Sequence, residues 1–236
     1  MNNDTNDKSS LEFTAADESR QFLGEQLKEK QQLLMQLTPN TPDLQRADLQ
    51  LDTAEIMLEV ADAGMVEAAW GYAKESFLIY IEQEQWEKAV HASDVLYRTE
   101  LPAAITALGN GLWLAIAYPI DPELSIVMLN NLIDDTPPSS DGAAVAAAVA
   151  HYIADLRYEG EKRDSTMFLT SSLLAKVAER HSQVSSQSEM TGWMLKLELN
   201  DPEKFLPRMS QVLDAIVAEN WWYDKAVLRD KIPADS

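Results

Sequence analysis

Two near-identical helix openings constrain this chain more than any other feature: Asp121-Pro122-Glu123-Leu124 and Asp201-Pro202-Glu203-Lys204. In each, the Asp carboxylate suits the orphan N–H groups of a first helical turn. Pro follows where no donor is needed, and Glu meets the positive end of the helix dipole. A start signal used twice points to one structural unit used repeatedly. Amphipathic stretches open near residues 85, 121, 160 and 201, at intervals of 36, 39 and 41. Periods of that size belong to arrays of helical hairpins, in which each hairpin covers its neighbour's apolar face.

Reading outward from those openings predicts helices over 14–37, 41–64, 65–81, 85–97 and 102–118, and another from 121. Thr14 is the N-cap of the first, and Gly64 closes the second as a C-cap. An alanine-rich helix ends near Tyr158, one follows over 161–180, another lies beyond the polar stretch 182–188, and the last regular helix opens at Asp201. No segment alternates apolar and polar residues for long enough to make a strand. The expected fold class is all-α, with about five antiparallel helical hairpins; a non-repeating bundle is the alternative. Residues 1–13 read as a polar tail and 14–218 as the helical-repeat domain, with a subdomain break at the Pro- and Ser-rich 134–142. Residues 219–236 read as a C-terminal aromatic capping segment.

Charge narrows the partners. The net charge is −20, and residues 41–158 hold 19 acidic and 5 basic groups, a net of −14, against 13 and 10, a net of −3, over 159–236. Such acidity opposes binding to phosphate backbones and anionic lipid; it reads first as a solubility feature, and in the sharper reading as an acidic face for a basic partner. There is no cysteine, the N-terminus has no signal-peptide pattern, and the apolar stretch 105–120 is too short to span a bilayer. The expected setting is cytoplasmic, with no membrane and no nucleic acid as partner.

One segment resembles a tetratricopeptide repeat. Tyr80 followed by Gln85-Trp86-Glu87-Lys88-Ala89-Val90 is similar to that family's inter-helix turn, with Trp86 and Ala89 in the aromatic and small-residue roles and Pro102 near the close of a repeat. Phe77 stands where the family often has glycine, and Ser93 where an aromatic is expected. The likeness covers one repeat, about residues 70–102, and implies a short right-handed solenoid that holds a protein segment in its concave face.

Chemistry is sparse by comparison. Glu87/His91 and His151/Asp155 are spaced four apart on helix faces, but a metal site asks for three or four convergent ligands. Gly109-Asn110-Gly111 lacks the downstream Lys-Ser/Thr of a phosphate loop and reads as a close-packing or kink device within a helix. No catalytic residue, metal ligand or cofactor site is assigned from the sequence. The expected function is a protein–protein interaction module, an adaptor or assembly chaperone. Its candidate partner-binding residues are Glu82, Glu84 and Glu87 as a steering cluster and Trp221, Trp222 and Tyr223 as a cap over the last hairpin or an anchor for a partner. An acidic nucleic-acid mimic and an enzyme with an unrecognised helical site are the alternatives, and a homo-oligomer is compatible with each.

Overall fold

A computed structural model describes residues 4–60 and 62–233, with side chains from Ser19 onward. The chain is all-helical, 79% helix, with no strand among the described residues. In order the elements are α1 (Asp4–Gln36), α2 (Asp43–Val60), α3 (Val66–Glu82), α4 (Trp86–Arg98), α5 (Ala104–Ala117) and α6 (Pro122–Asp135). They continue with α7 (Asp141–Arg157), α8 (Gly160–Ser182), α9 (Gln187–Lys196), α10 (Pro202–Val217) and α11 (Lys225–Arg229). A single 3₁₀ turn, Ala63–Met65, precedes α3.

Both anticipated caps form. Asp121 and Asp201 each accept the N–H two residues ahead, from Glu123 and Glu203, at 3.0 Å, with Pro in the first turn of each helix. Ser186 and Glu189 add a reciprocal capping box at α9. Helix ends follow a different rule from the one the sequence suggested. Glu84, Glu100 and Gln183 all take φ of +56° and Glu198 takes +53°, so residues that carry a Cβ occupy the left-handed position usually given to glycine. Gly64 is not a C-cap: it lies in the 3₁₀ turn, where its N–H donates to Asp62. Thr14 is interior to α1, which already runs as helix from Asp4, while residues 1–3 and 234–236 lie outside the described residues.

Consecutive helices from α1 to α9 pack on one another, α6 and α7 included, across the short loop that joins them. The alanine run of α7, Ala143–Ala150, has every residue buried, and α7 packs on α6, α8 and α10 at once. Small side chains let three neighbours approach one helix. Two glycines of α5 serve the same end: a Cβ on Gly111 would strike Ser93 of α4, and one on Gly109 would strike Val217 of α10. Arginines close several helix ends. Arg157 donates to Ala115 O at 2.8 Å and Ile116 O at 3.0 Å, and Arg180 to Ile133 O at 2.9 Å.

The main departure from the sequence reading is α10. As the last member of a linear array it would stack at one end; instead it packs chiefly on α5 and α7, in the middle of the chain. Phe205, Met209, Leu213 and Val217 form its buried stripe. One buried cluster runs from Leu27 to Leu228.

Candidate functional site

The site begins where α10 ends. Ala218 turns the chain with φ +52° and ψ −121°, a conformation that costs a residue with a Cβ on the order of 1–2 kcal/mol. The turn sends residues 219–232 across α5 and α3. Trp222 meets Phe77 edge-on at 5.1 Å and Trp70 at 6.3 Å. Tyr223 stacks on Phe77 at 6.3 Å and lies tilted against Trp113 at 5.6 Å. Each such pair adds about 0.5–1.5 kcal/mol beyond the area it buries. The aromatic segment therefore covers α3 and α5, not the last pair of helices.

Two residues bond the main chain of the segment, Asn110 at its start and Tyr118 further along. Asn110, fully buried in α5, uses its carboxamide in both directions: Nδ2 donates to Asn220 O at 3.4 Å and Oδ1 accepts from Trp222 N–H at 3.0 Å. The Tyr223 hydroxyl donates to Asn110 O at 2.6 Å, and the Tyr118 hydroxyl donates to Leu228 O at 2.7 Å. Burial raises the pKa of both phenols, so they stay protonated and able to donate. A carboxamide that bonds an N–H and a C=O two residues apart holds the short non-helical stretch between α10 and α11 by its main chain. Asn110 was visible in the sequence only as a polar interruption of an apolar run; its partners lie more than a hundred residues away.

Charges frame the segment. Lys231 Nζ lies 2.6 Å from Glu84, and Lys225 pairs with Asp214 of α10 while lying 3.9 Å over the Trp221 ring. Beneath Trp222 sits Lys74 of α3. Its amine is buried with no hydrogen-bond partner and faces the Trp222 and Phe77 rings, and burial lowers its pKa to about 7. Lys74 carried no signal in the sequence, because an isolated lysine in an amphipathic helix normally lies on the solvent face.

The two candidate clusters meet at one point. Glu84 reaches the C-terminal segment through Lys231, so its charge is already matched, whereas Glu82 and Glu87 stay exposed at the adjoining ends of α3 and α4. Both departures from the tetratricopeptide pattern have a local use. Phe77 supplies the ring on which Trp222 and Tyr223 sit, and Ser93 leaves room for Gly111 while donating to Ala107 O at 2.6 Å. Trp86 stacks on Tyr118 at 4.4 Å, and Ala89 is fully buried.

The histidines take other hydrogen-bond partners than those four residues away. His91 bonds Glu55 of α2 at 2.8 Å, and that bond is the main reason its pKa is raised. His151 bonds Thr170 at 2.9 Å, and burial lowers its pKa, while Asp155 pairs with Arg163. His181 lies 3.1 Å from Asp141 and 2.6 Å from Ser182, an order of groups that resembles a nucleophilic triad. Trp193 Nε1 donates to the same His181 Nδ1 at 3.2 Å, so the lone pair that a serine proton would need is already engaged.

Among the described residues no three or more His, Asp or Glu side chains gather to hold a metal, and no helix is long and apolar enough to cross a membrane. On the α2 face, Asp48 pairs with Lys88, Asp52 with Lys30 and Glu55 with His91. No protein-family model matches the chain, and neither a curated protein nor a solved structure matches it.

Proposed function

We propose that this chain is a protein–protein interaction module that binds an extended segment of a partner on its α3–α5 face, and that its own C-terminal segment occupies that face when the partner is absent. The helices form a short right-handed solenoid of antiparallel hairpins in this reading, and α3, α5 and α7 line the inner side. The observation that carries it is the Asn110 carboxamide, which bonds the main chain of residues 220 and 222. Main-chain capture flanked by aromatic walls is how an extended peptide is bound without a fixed side-chain sequence. A cytoplasmic adaptor or assembly chaperone is the setting that suits this chemistry, with the exposed Glu82 and Glu87 at the rim steering a basic client. A nucleic-acid mimic would need a row of free carboxylates at phosphate-like spacing. Four of the five α2 carboxylates, Asp43, Asp48, Asp52 and Glu55, lie against Arg46, Lys88, Lys30 and His91, which favours the binding module over the mimic.

The test keeps every residue of the chain. A flexible Gly/Ser insertion of about 20 residues between Ala218 and Glu219 lowers the effective concentration of the tethered segment without altering it. A fluorescent peptide of sequence 219–233 is then titrated into both proteins. The insertion protein should bind the peptide at least tenfold more tightly than the parent chain, and Asn110→Ala in the insertion background should abolish the gain. Equal binding by both chains would overturn the proposal.

A further inference from the structure

A cavity of about 540 Å³ lies between α6 and α8 and shares no residue with the α3–α5 site. Ile126 and Val127 of α6 and Leu169 and Leu173 of α8 supply its apolar wall. Val127 is 48% exposed and Leu169 65%, and Phe168 beside Leu169 on α8 is 73% exposed. A cluster of large apolar side chains left to solvent marks a surface that another molecule covers. The two helices line the groove in one direction, because Lys162 near the start of α8 approaches Glu123 near the start of α6, and Arg180 near the end of α8 bonds Ile133 near the end of α6.

The charges at the groove are unusual for this protein. In a chain of net charge −20, the charged groups that α8 contributes to the lining are both lysines, Lys162 at one end and Lys176 at the other. Lys176 makes no ion pair among the described residues; Lys162 faces Glu123 at 3.8 Å, with both side chains more than half exposed, and lies 4.6 Å over the Tyr158 ring. Such exposed contacts are individually weak, so a partner carboxylate can compete for Lys162 and meets Lys176 unpaired. At 1.5 Å per residue the lysines stand about 21 Å apart along the helix.

We propose that the α6–α8 groove docks an amphipathic helix of a second protein, which lays its apolar face on Val127, Leu169 and Leu173 and presents one carboxylate to each lysine, about four turns apart. A second copy of this chain is a poorer occupant. A two-fold contact would set this lysine-ended face against itself between two molecules of like net charge.

The probe is a labelled synthetic amphipathic helix of about 18 residues with a leucine face and Glu near both ends, alongside a twin with Lys in place of Glu. Titrated into the full chain, the Glu peptide should bind at least tenfold more tightly than the Lys twin. The double variant Lys162→Glu/Lys176→Glu should reverse that order, and Leu169→Glu should remove binding of both; these positions are exposed, and melting curves confirm that the variants fold. Absence of binding, absence of a charge preference, or a preference that survives either variant would overturn the proposal. Sedimentation of the chain alone is run in parallel, and a dimer dissociated by Leu169→Glu would overturn it in favour of self-association.

Discussion

Two apolar faces of this molecule meet solvent on different terms. The α3–α5 face is covered by residues 219–232, which bring aromatic rings to Phe77 and Trp113 and a main chain to Asn110. The α6–α8 face has a run of aliphatic side chains with no segment laid across it among the described residues, and Phe168 and Leu169 stay exposed. The difference lies in polar groups. A buried Asn can hold a main chain by its C=O and N–H, and a tethered segment fills that face at high effective concentration. The α6–α8 groove offers aliphatic surface and lysines, which select by shape and charge.

The largest effect should come from the ring on which the segment rests. Phe77→Ala should cost about 3–5 kcal/mol in urea unfolding, whereas Phe168→Ala should change stability by less than about 0.5 kcal/mol. Similar losses at both positions would erase the contrast between the faces.

Next is the clamp. Asn110→Leu leaves the Trp222 N–H without its acceptor, and should destabilise by about 2–3 kcal/mol while selectively speeding amide exchange over 219–223. A uniform change in exchange across the molecule would show that Asn110 acts only as a core residue.

Lys74 should move stability the other way. Its pKa in the folded chain is lowered to about 7, so between about pH 10.5 and 7 the unfolded chain binds a proton that the folded chain refuses. Stability contributed at this position is full above the unfolded value and declines as pH falls toward 7. Lys74→Met should therefore stabilise by about 1–2 kcal/mol at pH 7, with partial exposure and the Trp222 ring reducing the full desolvation cost. The gain should shrink toward pH 10. A gain that does not depend on pH would mean that packing, not the amine, sets the effect.

The smallest change is at the turn that launches the segment. Ala218→Gly removes a Cβ from a φ of +52° and should stabilise by about 1 kcal/mol, read as a higher urea midpoint with an unchanged slope.

Much of the helical layout was legible because start signals are local chemistry. Asp121 and Asp201 satisfy N–H groups two residues ahead, and that pattern survives any tertiary context. Helix ends were less legible, since Glu84, Glu100 and Gln183 hold a left-handed conformation that sequence reasoning assigns to Gly or Asn. The packing role of Gly109 and Gly111 could be read from their place in an apolar helix, and contacts with Val217 and Ser93 account for it. The position of α10 on α5 and α7 could not, because an amphipathic stripe states what is buried and not against what. At the site, Trp221, Trp222 and Tyr223 stood out by type and Glu84 by charge. Asn110, Lys74 and Phe77 acquire their roles only when a segment distant in sequence folds back over them.

The central claim is that α3 and α5 form a segment-binding face independent of the segment that fills it. Amide hydrogen exchange on the chain with the flexible insertion after Ala218, titrated with an isotopically labelled 219–233 peptide, measures this directly. The account predicts that saturating peptide exposes the chain's own residues 219–232 to exchange while α3 and α5 remain protected. Protection that persists in 219–232, or that is lost from α3 and α5 together with it, would contradict the account.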